Sequence, residues 1–358
     1  MRAMTVRPPV PDTLAVRDVP DPEPGPGELL VRGLAVGVCG TDREIVAGDY
    51  GAAPPGREEL VLGHESLGRV HRAPPGSGLT EGQLVVGVVR RPDPEPCGAC
   101  RHGEFDMCRN GRYTERGIKE RDGYASEFWC VEADYAIPLP PELERVGMLL
   151  EPTSVVAKAW EQVERVGARA WFAPRRALVT GAGPIGLLAA LLAVQRGLET
   201  HVLDRVTDGP KPGLVADLGA TYHAAEPGKL TDELRPDVVI EATGNGEVVC
   251  AAIAGTARYG IVCLTGVSPA GRRLSVDAAG LNRELVLEND AVLGSVNANQ
   301  RHYRQAADAL VKADAGWLER MITRRVPLER CAEAFERRPD DVKTVVVLDA
   351  PDAPAAPG

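Results

Sequence analysis

Four side chains spread over the sequence have the chemistry to share one metal ion: Cys39, His64, Glu65 and Glu151. Thiolate, imidazole and carboxylate are the ligand types that Zn²⁺ accepts in catalytic centres, where one position stays open for water or substrate. Singly, three of them have ordinary explanations. Cys39 suits a small buried hydrophobe, His64 a hydrogen-bonded turn residue and Glu65 a surface carboxylate. Glu151 is held between the apolar residues Leu149 and Leu150 and the ring of Pro152. The combination points to one zinc ion held by Cys39, His64 and one or both glutamates.

A second chemistry lies at residues 181–204. Gly181, Gly183 and Gly186 have the G-x-G-x-x-G spacing, after an apolar run at 177–180 and before a stretch of helix formers at 187–194. Residues 201–204 read as a second strand that ends in Asp204. In such a βαβ unit Gly181 allows the tight turn, Gly183 lets backbone N–H groups approach a pyrophosphate, and Gly186 permits close helix–strand packing. The helix that starts around Pro184 and Ile185 adds partial positive charge for the phosphates. Asp204 stands where a carboxylate accepts a hydrogen bond from a ribose 2′-hydroxyl. Glycines alone would mark only a turn; strand, helix and acid together mark a dinucleotide site.

The elements that position these groups come from 358 residues, enough for two domains, and 44% of them are hydrophobic. The net charge of −10 is dispersed and argues against nucleic acid or an anionic membrane as partner. No apolar run reaches membrane-spanning length and the N-terminus has no signal-peptide core, so a cytoplasmic protein is expected. Eight cysteines in that compartment mean metal ligands or buried thiols before disulfides. There is no internal repeat. The proline- and alanine-rich stretch 350–358 is expected to fray.

Along the chain, residues 1–90 read as β-rich, with strands at 29–36 and 84–89 and Gly/Pro punctuation that favours a barrel-like domain. Residues 129–141 read as a strand leading to a turn, and 151–167 as a helix that bridges two domains. Further parallel strands are expected at 238–244, 260–266 and 291–296, the last after a connecting stretch at 282–289. A helix is expected at 305–313 and a late strand at 345–348, completing the first domain's sheet.

Gly-Val-Cys-Gly-Thr-Asp at 37–42, Gly-His-Glu at 63–65 and Gly-Ala-Gly-Pro-Ile-Gly at 181–186, in this order, resemble the zinc-dependent medium-chain dehydrogenase/reductase superfamily. Residues 39–46, 113–118, 149–155, 294–299 and 338–343 are similar to its glucose (aldose) dehydrogenase branch. The resemblance implies an α/β fold: a GroES-like β-rich catalytic domain at 1–158 and 297–358, and a Rossmann domain with a doubly wound parallel sheet at 159–296. It implies oxidation of a cyclic sugar at its anomeric carbon to a lactone, zinc serving as Lewis acid and nicotinamide as hydride acceptor. Thr41 matches the hydroxyl that starts the proton relay, although capping a helix start would suit it equally. Glu115 matches a carboxylate that holds sugar hydroxyls, against the plainer reading of an exposed loop acid. Asn297 is expected near substrate and cofactor, and Thr243 near cofactor. A homodimer or homotetramer is expected. Two other classes compete: a zinc polyol or secondary-alcohol dehydrogenase with a different pocket, and a non-catalytic nucleotide-binding protein, which would be expected to have lost metal ligands that are all present here.

The superfamily also carries a structural-zinc lobe of four cysteines. Cys97, Cys100 and Cys108, in the insertion at about 91–110, match the last three, and Pro94 stands in place of the first. Asp93 or Glu95 is expected to stand in as an oxygen ligand; a metal-free lobe is the alternative. Cys130, Cys250, Cys263 and Cys331 read as buried fillers. For the cofactor, the aldose branch usually follows its second Rossmann strand with a neutral residue and two arginines. Here the triplet is Asp204-Arg205-Val206. A carboxylate there repels a 2′-phosphate of about two negative charges. NAD⁺ is therefore expected to be preferred, with some NADP⁺ use through Arg205.

Overall fold

The computed structural model describes residues 1–268 and 273–348, so the stretch 350–358 lies outside the described residues. The chain divides into two units, Met1–Glu151 with Ala298 onward, and Pro152–Asn297. The first boundary falls at 151/152 rather than 158/159. The reason is in the helix Leu150–Gly167, where buried Lys158 and Trp160 find acceptors in the second unit. Lys158 Nζ donates to the Val296 carbonyl at 2.9 Å, and Trp160 Nε1 to that of Ala189 at 3.2 Å. Buried ammonium and indole N–H groups need such partners. Among the described residues no helix is long and apolar enough to cross a membrane.

The spine of the first unit is the strand Glu28–Val38. It pairs antiparallel with Glu65–Arg72 on one side and Lys343–Val347 on the other, and along its start with Phe128–Glu132. Ala136–Leu139, Leu84–Gly87 and Ile322–Pro327 complete this seven-stranded sheet. The strand's first half alternates between buried residues and half-buried or exposed ones, but its last four are buried on both faces. That burial carries the chain inward where Cys39 follows. Met4, Val36, Val38, Ile45, Leu60, Leu62 and Val346 form the core around it. The stretch 129–141 holds two strands joined by the 3₁₀ turn Ala133–Tyr135, and the helix expected at 305–313 begins earlier, as Gln300–Lys312. A small sheet of Arg90–Arg91, Thr114–Arg116 and Glu120–Arg121 stands apart from the larger one.

The second unit is a six-stranded parallel sheet. Its strands are β1 (Arg176–Thr180), β2 (Glu199–Leu203), β3 (Thr221–His223), β4 (Val238–Glu241), β5 (Ile261–Leu264) and β6 (Ala291–Gly294). Their spatial order is β3-β2-β1-β4-β5-β6, the doubly wound order of dinucleotide-binding folds, with the switch point beside β1. The connecting stretch 282–289 lies within and just after the helix Ala278–Glu288. The helix Pro184–Gln195 is buried from Gly186 to Ala193, which explains a sequence apolar on every face.

Candidate metal and cofactor sites

Cys39 is the N-cap of the short helix Gly40–Val46. Its Sγ accepts the Thr41 N–H at 3.3 Å, and its own N–H donates to Asp42 Oδ2 at 2.9 Å. This reciprocal capping box gives the cap to Cys39 and not to Thr41, which lies half-buried two residues later, within the first turn. His64 follows Gly63, whose positive φ of +89° and closeness to Val36 and Ala125 admit no side chain. The imidazole Nε2 is 3.0 Å from Cys39 Sγ, and Nδ1 is 3.2 Å from Asp42 Oδ1. Asp42 is buried and thereby sets which ring nitrogen faces the thiol, the arrangement by which a second carboxylate orients a metal-binding histidine. Burial opposes charge on His64, yet the Asp42 carboxylate and Cys39 sulphur hold its proton well above the usual imidazole range. Burial also opposes charge on Asp42, but His64 and the Cys39 N–H keep its carboxyl below the usual carboxylate range.

Glu65 opens its strand opposite Gly37. Lys343 reaches the same place from the other side, pairs with Glu65 Oε2 and donates to the Val38 carbonyl at 3.1 Å. Glu65 and Lys343 are 2% and 1% exposed. A Cβ on Gly37 would stand 1.9 Å from Glu65 Oε2 and 2.8 Å from Lys343 Cε. Only glycine fits there. The ligand atoms of Cys39, His64 and Glu65 all lie within 4.8 Å of one another, and a sulphur, a nitrogen and an oxygen at that span suit Zn²⁺. Glu151, buried in the first turn of Leu150–Gly167, stands outside this trio. Burial pushes its carboxyl up to about 7, with negative Glu65 acting in the same direction and His64 and Lys343 pulling back. Glu115, in the strand Thr114–Arg116, is buried and not the exposed acid of the plainer reading; Arg90 grips its Oε1.

In the second unit, Gly181 follows β1 with φ +90°, a conformation that favours glycine. Gly183 caps the helix that begins at Pro184 and Ile185. A Cβ on Gly186 would lie 1.7 Å from the Gly181 carbonyl oxygen, so helix and turn can meet only without it. Asp204 directly follows β2 with its carboxylate already held: Oδ2 accepts the Ala182 N–H at 2.7 Å and Oδ1 the Val206 N–H at 3.1 Å. Lys211 Nζ pairs with the same Oδ2 at 3.1 Å. Burial raises the Asp204 carboxyl, but these N–H groups and Lys211 bring it below the ordinary value. Arg205 is exposed. Thr243 gives its N–H to Glu241 Oε1 at 2.7 Å, its hydroxyl bonds the same oxygen, and a Cβ on Gly181 would sit 3.0 Å from its methyl group.

Residues 144–348 match the family described as glucose dehydrogenase C-terminus, and residues 25–141 the alcohol dehydrogenase GroES-like domain. The chain belongs to the glucose dehydrogenase family. It is 43% identical to a glucose 1-dehydrogenase of Methanocella arvoryzae, covering 98% of this chain and 100% of that one. It is 42% identical to that of Thermoproteus tenax, over 97% and 99% of the two chains. The glucose dehydrogenase of Haloferax mediterranei, solved in complex with NADP, Zn and gluconolactone, superposes with a TM-score of 0.90 at 34% identity, over 98% and 100% of the chains. The family is that of the zinc-dependent medium-chain dehydrogenases, so the GroES-like and Rossmann architecture and a zinc- and nicotinamide-dependent enzyme follow together.

Against the family's four-cysteine lobe, this member keeps three sulphurs together. Cys97, Cys100 and Cys108 lie within 4.8 Å of one another. The N–H groups of Arg109 and Cys100 bring the Cys97 thiol down to about 6. The expected carboxylate does not join them. Asp93 Oδ1 accepts the Glu95 N–H at 2.8 Å, while Oδ2 is taken by Asn110 Nδ2 at 2.8 Å and Arg112 Nε at 3.3 Å. Glu95 points outward and pairs with Arg112 at 2.8 Å. All eight cysteines are unpaired; Cys263 and Cys331 are buried, but Cys130 and Cys250 are only half-buried. Asn297 lies half-buried with φ +61°, a left-handed conformation that asparagine tolerates.

Four residues around these sites were not singled out in the sequence: Asp42, Lys343, Arg90 and Lys211. The position of Asp42, three residues after Cys39, is the one trace of a capping box that could have marked it. Nothing local in the sequence marks Lys343, because its partner is set by strand order.

Proposed function

We propose that this enzyme oxidises a cyclic aldose such as glucose at its anomeric carbon, giving the lactone and a reduced nicotinamide. The observation that carries the reading is the convergence of Cys39, His64 and Glu65 within 4.8 Å, with Asp42 behind the imidazole. Zinc held by these three residues and Glu151 supplies Lewis acidity toward the substrate hydroxyl, and nicotinamide the hydride acceptor. Thr41 starts the proton relay: its hydroxyl accepts the substrate's hydroxyl proton while passing its own onward to solvent. Glu115 and Asn297 hold the sugar, which separates this reading from polyol oxidation. The buried, Arg90-bound Glu115 supports a carboxylate held in place for hydroxyl recognition. Similarity to named glucose 1-dehydrogenases over nearly the whole chain supports the same substrate class.

For the cofactor, Gly181, Gly183, Pro184, Ile185 and Gly186 receive the pyrophosphate, and Asp204 the adenosine ribose. Asn297 and Thr243 line the nicotinamide half. NAD⁺ is preferred because the Asp204 carboxylate stands at the 2′ position, while Arg205 and Lys211 retain some NADP⁺ use. Cys97, Cys100 and Cys108 hold a second zinc. The exposed side chains of Val286, Leu287, Val292 and Val296, around β6, the edge strand of the sheet among the described residues, support a homodimer that pairs at this edge. Eight unpaired cysteines support a cytoplasmic home.

The test is reduction of NAD⁺ and NADP⁺ by the zinc-loaded enzyme across a panel of aldoses and polyols. Turnover of glucose or its epimers to lactone, stronger than with any open-chain polyol, is expected. Turnover of polyols alone would overturn the substrate assignment.

A further inference from the structure

Arg90 opens the two-residue strand Arg90–Arg91 and faces Glu115 in the register of the small sheet. Arginine and glutamate are 5% and 4% exposed. Nε and Nη2 of the guanidinium both donate to a single oxygen, Glu115 Oε1, at 3.1 and 2.9 Å. The remaining arm is spent elsewhere: Nη1 donates to the Asp106 carbonyl at 3.0 Å. The guanidinium carbon also lies 3.7 Å above the ring of Tyr113. Asp106 is itself fixed, since its Oδ1 accepts Asn299 Nδ2 at 2.7 Å. A planar cation anchored at three places cannot follow a moving carboxylate; it dictates where the carboxylate goes.

A carboxylate that accepts hydrogen bonds from sugar hydroxyls must be charged and held in one orientation before the sugar arrives. Burial alone would disfavour the charge, and the adjacent guanidinium offsets that cost. We propose that Arg90 is a positioning residue for sugar recognition. It acts through Glu115, and its effect falls on the affinity for the sugar and not on hydride transfer. This rests on the reading that Glu115 meets the substrate.

Arg90→Lys keeps the positive charge but loses the fork and one of its anchors, and Arg90→Gln loses the charge as well. In Arg90→Lys the KM for glucose should rise by about tenfold with kcat within about threefold, as for lost ground-state and transition-state binding together. Zinc content and the KM for NAD⁺ should stay at wild-type values. Arg90→Gln should raise KM further. In a Glu115→Gln background Arg90→Lys should add little, because there is no charge left to orient. Unchanged KM in Arg90→Lys overturns the proposal, as do fully additive effects of the two substitutions. A joint fall in kcat and unfolding midpoint without a KM change also overturns it and assigns Arg90 to packing. A wild type that oxidises no aldose overturns the functional reading and this proposal with it. Glucose turnover whose KM responds to Glu115→Gln but not to Arg90→Lys overturns the proposal alone.

Discussion

Glu65 and Lys343 reach each other from the two strands that flank Glu28–Val38, and their charged ends meet over Gly37. The buried ion pair thus sits at the edge of the Cys39, His64 and Glu65 trio, and one lysine balances the Glu65 carboxylate. Truncating one partner of such a pair leaves an uncompensated buried charge.

Lys343→Met should therefore destabilise the metal-free protein by about 3–5 kcal/mol. Zinc replaces the lost positive charge, so the loss should be smaller in the zinc-loaded protein. Urea unfolding with and without zinc measures both. Equal losses in the two forms would show that Lys343 is not Glu65's counter-charge.

Gly37→Ala tests the cradle itself. Its Cβ would fall 1.9 Å from Glu65 Oε2, where no real contact exists, so the carboxylate must move. Zinc affinity should drop by at least about tenfold, comparable to disturbing a ligand's support. Competition with a chromophoric chelator reads it directly, and wild-type affinity in the variant would contradict the assignment of Glu65 as ligand.

Asp42→Asn should show in the pH dependence of zinc binding. In the metal-free protein Asp42 and Cys39 keep His64 protonated above the usual imidazole range, while zinc requires the neutral ring. Affinity should rise with pH until His64 loses its proton and then level off. Removing the Asp42 charge should move that rise to lower pH and lower the plateau by about 10–100-fold. The sign for metal-free stability is the reverse. The raised folded-state pKa gives stabilisation that is complete below the ordinary imidazole value and lost as pH climbs through the folded value.

On the proposed reading cofactor choice turns on Asp204, whose Oδ2 pairs with Lys211 Nζ at 3.1 Å. Wild type should show the larger kcat/KM with NAD⁺. Asp204→Asn should shift the ratio toward NADP⁺ by about tenfold or more, since like charges in a partly desolvated site cost several kcal/mol. Lys211→Met should shift it the other way. A wild type that prefers NADP⁺ would refute Asp204 as the ribose ligand.

Metal analysis should find two zinc ions per chain, and one in a Cys97→Ser/Cys100→Ser variant. Asp93→Asn should retain both, because its carboxylate serves Asn110 and Arg112 and not the sulphurs. Loss of one ion in Asp93→Asn would put the carboxylate back in the lobe's coordination.

Glycine spacing, apolar runs and the terminal acid made the nucleotide unit legible in the sequence, because each is a local requirement of one βαβ turn. Cys39, His64 and Glu65, which the fold brings within 4.8 Å of one another, were legible as candidate ligands because a thiol, an imidazole and a carboxylate share metal chemistry. What surrounds them was not. Lys343 meets Glu65 only because Lys343–Val347 pairs beside Glu28–Val38, and strand order leaves no local mark. Asp93 looked like a ligand by proximity in sequence to Cys97, but the placement of Asn110 and Arg112 decided its direction. Thr41 looked like a cap by type, whereas the backbone turned Cys39 into that role. Cys130 and Cys250 show the limit of reading burial from residue type alone.

The place of Lys343–Val347 in its sheet also orders the making of the molecule. Pro152–Asn297 is continuous in sequence and can fold as it leaves the ribosome. The other unit is interrupted: the second half of its central strand Glu28–Val38, beyond the stretch paired with Phe128–Glu132, waits for a neighbour translated after the whole nucleotide unit. Pairings of such long sequence separation form slowly. Until that strand arrives, Glu65 has no lysine opposite it and the ligand trio is unfinished. On the proposed zinc site, metal capture is expected late in biogenesis, and a nascent chain arrested before Lys343 should hold dinucleotide sooner than it holds metal.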